Sequence, residues 1–339
     1  MKSSIHSLAI ALVALLFPAF AGFSALAQTG EWPQWRGADR SNASQETNLL
    51  KEWPAEGPPL LWRVTGLGDG IHSVSVAGGR VFTVGNREGG EFVFALDAKT
   101  GEKLWATRMG DVVAENPLMR WLTQRTPTVD GDRVYAFSSS GELICLGSAD
   151  GRKVWRRSYP NDFGPSGHPW GFCDRPMVDG EWLICAPLST KAFITALNKR
   201  TGESIWQTRM DYPSSGYGAL VATEAGGVKQ YVMLSMRGLS AFAADDGRLL
   251  WEHPRPMQIA ATYTPIAVGE YICSPNGFRG GLLGFQLVPD DTGFAVRDLY
   301  WSYAFTFDPF EDSTARVGDY LYILHRPTFK DVSFGTTIV

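Results

Sequence analysis

The sequence predicts an all-β fold, a β-propeller of four-stranded antiparallel blades, and three observations carry that expectation. A tight-turn signature followed by tryptophan recurs, as DAKTGEKLW ending at Trp105, ADGRKVW at Trp155, NKRTGESIW at Trp206 and DDGRLLW at Trp251. GPPLLW and VRDLYW extend the series to Trp62 and Trp301, so that the steps are 43, 50, 51, 45 and 50 residues, an interval that fits four short strands and their turns. Between the tryptophans, short runs alternate apolar with polar residues and break at Gly, Asp and Asn, the pattern of strands rather than helices.

The elements follow in chain order. Lys2 precedes an apolar run from Leu8 to Phe23, interrupted by Pro18 and closed by small residues at Ala25 and Ala27. These features predict a secretory signal peptide over 1–27; a membrane anchor fits less well, because the run is short, broken by proline and followed by an AxA site. The mature chain is therefore expected to be exported, periplasmic or extracellular, with no transmembrane anchor after cleavage. Residues 28–56 are read as a leader packing on the propeller, and 57–339 as the propeller itself.

The first blade reads HSVSV (72–76), RVFTV (80–84), EFVFALD (91–97) and EKLWATR. In its last turn Gly101 can take a positive φ while Asp97 or Thr100 bonds back to the backbone. Gly151, Gly202 and Gly247 hold the same place in the next three units, which run TPTV to KVWRRS, RPMVDGEWLICAP to SIWQTR, and GALVATEAGG to LLWEHP. The fifth unit runs from TPIAVGEYICSP to DLYWSY, TARVGDYLYIL (314–324) opens a sixth, and the tail SFGTTIV can add one strand. A lone meander of this size cannot cover both of its faces. Copies around an axis cover one another, with Trp62, Trp105, Trp155, Trp206, Trp251 and Trp301 filling gaps between the sheets. A β-sandwich offers no reason to repeat one tryptophan position six times. GPPLLWRV precedes the first inner strand, so it is expected to be an outer strand that completes the last blade and leaves no open edge.

Composition narrows the function classes. A chain that is 44% hydrophobic and 19% charged can bury a large core, and a net charge of −4 gives no basic footprint for nucleic acid. The 37 glycines and 12 tryptophans suit a fold with many turns and many flat packing surfaces. Of the four cysteines, Cys173 and Cys185 flank the VDGE hairpin and form one candidate disulfide. Cys145, inside the alternating run ELICL, and Cys273 read as small buried hydrophobes.

The unit PxVxGxxVY...ALDAxTGxxxW resembles the pyrroloquinoline quinone (PQQ)-like repeat of quinoprotein alcohol dehydrogenases and of the outer-membrane assembly propeller lipoprotein. The leader EWPQWRGADR and the stretch from AGGRVFTV to TGEKLW are similar to secreted bacterial proteins carrying this repeat, and the resemblance covers about residues 31–324. Members of this group usually close with seven or eight blades, and HRPTFKDVSFGTTIV lacks the expected ALDxxTGxxxW. Either the ring closes with six blades or the sequence is shortened at its C-terminus.

The resemblance implies, for the dehydrogenases, a quinone on the axis beneath a stacked tryptophan and beside a vicinal disulfide, with calcium held by Glu, Asn and Asp. No adjacent cysteine pair exists here, and no catalytic Asp can be matched, so no cofactor and no metal are expected. HExxH, GxSxG and P-loop motifs are absent. GHPWGFCDRP (167–176) gathers His168, Trp170, Asp174 and Arg175, residue types that in such a loop serve packing and turn bonding more often than catalysis. Aligning the inner strands on Ser73, Thr126, Arg175, Thr264 and Ser313 puts His72, Arg125, Asp174, Tyr263 and Asp312 at the entry to each strand. Together with Arg175 these residues form a candidate channel rim for a small or peptide ligand; the alternative is that they solvate the channel and cap strand ends. The expectation is a non-catalytic scaffold binding an unknown protein or cell-envelope ligand, with a PQQ- and calcium-dependent oxidoreductase, or a degenerate relative of one, as the second reading.

Overall fold

The computed structural model describes residues 30–70, 72–112, 125–165, 167, 172–255, 261–275, 281–291, 293–302, 314–318, 320–325 and 335–338. Within them the chain is a β-propeller built from six antiparallel sheets, five of four strands and one of three. Blade 1 comprises β1 (Ser75–Ala77), β2 (Arg80–Arg87), β3 (Gly90–Asp97) and β4 (Lys103–Asp111). Blade 2 comprises β5 (Thr128–Asp130), β6 (Arg133–Phe137), β7 (Glu142–Gly147) and β8 (Lys153–Ser158). Blade 3 comprises β9 (Met177–Asp179), β10 (Trp182–Cys185), β11 (Ile194–Asn198) and β12 (Ser204–Thr208). Blade 4 comprises β13 (Val221–Ala225), β14 (Val228–Ser235), β15 (Gly238–Ala243) and β16 (Leu249–Pro254). Blade 5 holds β17 (Ile266–Val268), β18 (Tyr271–Pro275), β19 (Leu282–Asp290) and β20 (Gly293–Ser302), and blade 6 holds β21 (Thr314–Val317), β22 (Tyr320–His325) and β23 (Gly335–Ile338). Every sheet is a meander in chain order. A short helix, α1 (Tyr159–Phe163), which sequence periodicity does not signal, follows β8 and buries Tyr159 and Phe163.

The burial pattern shows why the blades must stack. Middle strands such as β2 and β7 are buried on both faces, whereas the outer strand β4 is mostly exposed. The core lies between neighbouring blades. Phe82 and Val93 of blade 1 meet Val134 and Ile144 of blade 2, and Tyr135 and Leu143 of blade 2 meet Leu183 and Leu197 of blade 3. Ile184 and Ile194 of blade 3 meet Tyr231 and Phe242 of blade 4, and Val232 and Leu239 of blade 4 meet Leu283 and Phe285 of blade 5. Each apolar layer is completed by the next sheet, the radial solution to covering a two-faced meander.

The repeated turn and the repeated tryptophan prove to be partners across blades. The indole of Trp105 in blade 1 lies on Gly151 in the turn of blade 2, where an added Cβ would sit 2.6 Å from the ring. Its N–H donates to the Ser148 carbonyl at 3.2 Å. Trp155 lies likewise on Gly202 and donates to the Lys199 carbonyl at 3.1 Å, and Trp62 lies on Gly101 and donates to the Ala98 carbonyl at 3.1 Å. Trp206 lies on Gly247. Two residues after the tryptophan a second tie forms: Thr107 Oγ1 and Arg157 Nη1 donate to the carbonyls of Gly151 and Gly202 at 2.7 and 2.6 Å, and Thr208 Oγ1 donates to that of Gly247.

The series breaks at blade 5. Gly293 precedes Trp301 by eight residues where the other turn glycines precede their tryptophan by four, so the long β19–β20 hairpin carries its turn away from Trp251. Trp251 instead donates to Gln230 Oε1 within its own blade at 2.6 Å and meets Phe285 edge-on. Trp301 stacks under the Arg255 guanidinium, 4.6 Å from the ring centre.

Two expectations need correction. Residues 57–64 form no strand, although Trp62 occupies the slot of an outer-strand tryptophan; the indole docks without the sheet that would accompany it. No disulfide joins Cys173 to Cys185. The β9–β10 register pairs Trp182 with Asp179, Leu183 with Val178 and Ile184 with Met177. Continued by one step it puts Cys185 opposite Pro176, so Cys173 lies three residues past the position a cross-strand bridge needs.

Candidate functional axial site

The innermost strands are short and their entry residues polar, and the leader runs along them. Trp32 pairs with Val76 of β1 through two backbone bonds of 2.7 and 2.9 Å, and the Pro33 carbonyl accepts from Val129 N–H of β5 at 2.8 Å. A compact loop follows, with Gly37 N–H on the Gln34 carbonyl and Asn42 N–H on the Arg36 carbonyl. From this loop two arginines enter the protein. Arg36 donates to Oγ1 and the carbonyl of Thr314 in β21 at 3.0 and 2.6 Å. Arg40 donates to the Leu220 carbonyl at 2.7 Å and to the Arg175 and Pro176 carbonyls at 2.9 and 3.0 Å, bridging the entries of blades 3 and 4, while Gln34 Oε1 accepts from its Nε and Nη2. Burial lowers the pKa of Arg40 to about 9, against the raising effect of the Asp174 charge.

The candidate rim residues that the structure describes are each engaged by the chain's own groups. Arg125, Asp174, Arg175 and Tyr263 are all buried. Arg125 pairs with Glu91 Oε1 at 2.6 Å, and Glu91 Oε2 accepts Ser139 N–H at 2.7 Å, tying blade 1 to blade 2. Asp174 accepts from the Tyr159 hydroxyl at 2.5 Å and from the N–H groups of Arg175 and Ala186 at 2.7 and 3.0 Å. Burial raises the Asp174 pKa, and these donors oppose the shift. Arg175 lies over the Trp35 ring, 4.3 Å from its centre, and donates to the Tyr217 carbonyl. Tyr263 backs Gly218, whose N–H, with that of Tyr217, bonds the Ala261 carbonyl. Asp312, His168 and Trp170 lie outside the described residues. The sequence reading missed Glu91, Arg36 and Arg40 as members of the site. The signal for the two arginines was their place in a leader that otherwise reads as a turn-rich linker.

His72 accepts the Arg125 backbone N–H at Nδ1 over 3.4 Å, and its Nε2 is sealed from solvent without a partner. Burial first, and the Arg125 charge second, lower its pKa from 6.5 to about 3. The unfolded chain thus binds a proton that the native state refuses, and stability should fall as pH drops from about 6.5 toward 3. The expected loss is up to about 1.4 kcal/mol per pH unit. Asp174, with its raised pKa, acts in the opposite sense, its contribution being lost as pH rises through the folded value. Replacing His72→Asn keeps an acceptor and removes the titration, so urea midpoints at pH 7 and pH 4.5 should diverge less in the variant than in the parent. Equal pH slopes would show that the imidazole takes up its proton freely.

A cofactor fit can be judged from the same contacts. The polar groups of these residues are already engaged: Glu91 by Arg125 and Ser139, Asp174 by Tyr159, Ala186 and Arg175, and the carbonyls of Thr314 and Leu220 by Arg36 and Arg40. Among the described residues no group of three or more His, Cys, Asp and Glu side chains could hold a metal ion. These residues do not fit a quinone with calcium. Among the same residues no helix is long and apolar enough to cross a membrane.

A family profile, PQQ_2, described as outer membrane protein assembly factor BamB, matches residues 35–168 and 165–291. The chain belongs to the PQQ_2 family. Similar members of the PQQ_2 group include the outer membrane protein assembly factor BamB of Xanthomonas campestris, 28% identical over 45% of this chain, and that of Burkholderia pseudomallei, 26% identical over 57%. The matched stretches span 37% and 48% of those relatives, half their length or less. Among solved structures, BamB from Moraxella catarrhalis aligns with a TM-score of 0.56 at 17% identity, covering 80% of this chain and 75% of that one. The quinohemoprotein alcohol dehydrogenase from Comamonas testosteroni aligns at 0.57 and 13% identity, covering 88% and 58%. Both likenesses are of fold, and the fold serves both a redox enzyme and an assembly factor.

Proposed function

We propose that this PQQ_2 propeller is an exported, non-catalytic scaffold that binds a protein of the cell envelope through its blade edges and loops. The observation that carries this reading is that the polar groups at the strand entries are engaged by the chain's own residues, the carbonyls there by Arg36 and Arg40, in a set that does not fit a quinone with calcium. Recognition is thereby left to the outside of the molecule. The large exposed apolar side chains there include Leu49, Leu50, Trp53, Leu60 and Leu61 in the segment ahead of blade 1, and a second group, Val268, Tyr271, Leu299, Tyr300 and Tyr320, on blades 5 and 6. The second group borders a groove of about 400 Å³ with Arg316 at its side. Contiguous apolar surface rimmed by polar groups is the usual mark of a protein-binding face. The names of the curated relatives support an assembly role of this kind.

A photo-cross-linker placed at Leu61 or at Tyr271 in cells should trap a discrete partner in the envelope fraction, and Tyr320→Glu should reduce capture from the Tyr271 position. Purified protein given PQQ and calcium should not reduce an electron-accepting dye with alcohols or sugars. Turnover in that assay, or no specific cross-link from either face, would overturn the scaffold reading.

A further inference from the structure

We propose that residues 30–42 are a peptide ligand of this propeller, bound in cis, and that through Trp32 on the first blade, Arg40 on the third and fourth and Arg36 on the sixth this ligand clasps the first blade to the sixth. The inference goes beyond the scaffold reading and stands without it.

The leader touches the innermost strand, or the residues entering it, in five blades: β1 through Trp32, β5 through Pro33, the entry to β9 through Arg40, the entry to β13 through Arg40, and β21 through Arg36. Two more bonds reach β21, from Asn42 Nδ2 to the Thr314 carbonyl at 3.2 Å and from Arg316 N–H to the Ser41 carbonyl at 2.8 Å. Among the described residues no strand pairing joins the sixth sheet to the first, so the leader supplies a connection that edge strands do not.

The receptor is built for guanidinium. What it offers Arg36 and Arg40 is a set of acceptors, the carbonyls of Arg175, Pro176, Leu220 and Thr314 with the Thr314 hydroxyl, carried on three blades. A planar fork of donors can reach carbonyls of two blades at once, as Arg40 does; the compact ammonium of lysine cannot. The bound conformation is also one the leader would not keep alone. Arg36, Arg40 and Asn42 have φ of 67°, 58° and 62°, in the left-handed region that side chains other than glycine avoid unless their surroundings hold them there. Residues 44–56, all exposed, then lead away from the site to Trp62, so the ligand is joined to the propeller by a surface tether.

The tether makes the test direct. A protease recognition sequence inserted between Leu50 and Lys51 of the full chain allows the leader to be severed after folding. The severed leader should co-elute with the propeller on size exclusion and be displaced by a synthetic peptide of residues 30–44. The same peptide carrying Arg36→Lys and Arg40→Lys should compete roughly tenfold or more weakly, since bonds to charged donors are lost. On displacement by dilution, amide exchange should speed up together in β1 and β21 while β10 and β11 keep their protection. Because the peptides vary and the propeller does not, misfolding of a variant cannot blur the result. Immediate loss of the severed leader with unchanged exchange in β1 and β21, or equal competition by both peptides, would overturn the proposal.

Discussion

Replacing Glu91→Ala should lower the stability of the chain by about 3–5 kcal/mol, because it removes one partner of a buried ion pair. Both partners are sealed, with side-chain exposures of 1% for Arg125 and 0% for Glu91, and the 2.6 Å contact joins blade 1 to the entry of blade 2. The second carboxylate oxygen accepts Ser139 N–H, so the truncation also removes a bond to the turn between β6 and β7. The pair need not be a net source of stability, since its desolvation opposes its attraction. A double replacement, Glu91→Leu with Arg125→Met, should therefore recover most of the loss, and Glu91→Gln should fall between. Urea denaturation of the parent, Glu91→Leu, Arg125→Met and the double replacement closes the cycle, with an expected coupling above 1 kcal/mol for groups in direct contact. The effect should persist in high salt, because ions do not reach a sealed pair. A Glu91→Ala variant within about 1 kcal/mol of the parent would mean that water enters the site or that the other contacts of Arg125 suffice to hold it.

How much of this was legible beforehand follows from what each signal encodes. The blades were, because alternation and the turn glycines are local: RVFTV and EFVFALD lie within β2 and β3, and SFGTTIV does contain β23. The partner of each indole was not, since nothing in DAKTGEKLW says that Gly101 serves Trp62 while Trp105 serves the next turn. Residues at the strand entries were singled out as a polar candidate rim, but an inner-strand alignment cannot show which groups engage them. Two of those groups, Arg36 and Arg40, come from the leader, whose EWPQWRGADR carries no periodicity and whose arginines take backbone angles that propensity disfavours. The candidate disulfide failed for a related reason: turn position gives the hairpin, whereas only the register of β9 on β10 tells which residues face each other.

The indole-on-glycine contact should carry energy that the glycine's backbone alone does not, and two glycines of blade 2 separate the contributions. Gly131 and Gly151 both have positive φ, 55° and 68°, so alanine at either pays the left-handed penalty of about 1–2 kcal/mol. Around Gly131 nothing lies within 4 Å of an added Cβ, and Gly131→Ala should stop at that cost. At Gly151 the new methyl would meet the Trp105 ring at 2.6 Å and Thr107 Oγ1 at 2.7 Å. The ring must lift away, breaking its bond to Ser148 and the Thr107 tie to Gly151, each worth about 1 kcal/mol, and opening the seam between blades. Gly151→Ala should therefore cost about 3–4 kcal/mol in total, roughly twice the loss at Gly131. Placed in a Trp105→Ala background, where the ring is already gone, the same substitution should fall back to the Gly131 value. Thermal or urea unfolding measures all four proteins, and the decisive comparison is the last one. If the penalty at Gly151 survives removal of the indole, the turn glycine is there for its backbone alone, and the recurrence of turn and tryptophan needs a different physical cause.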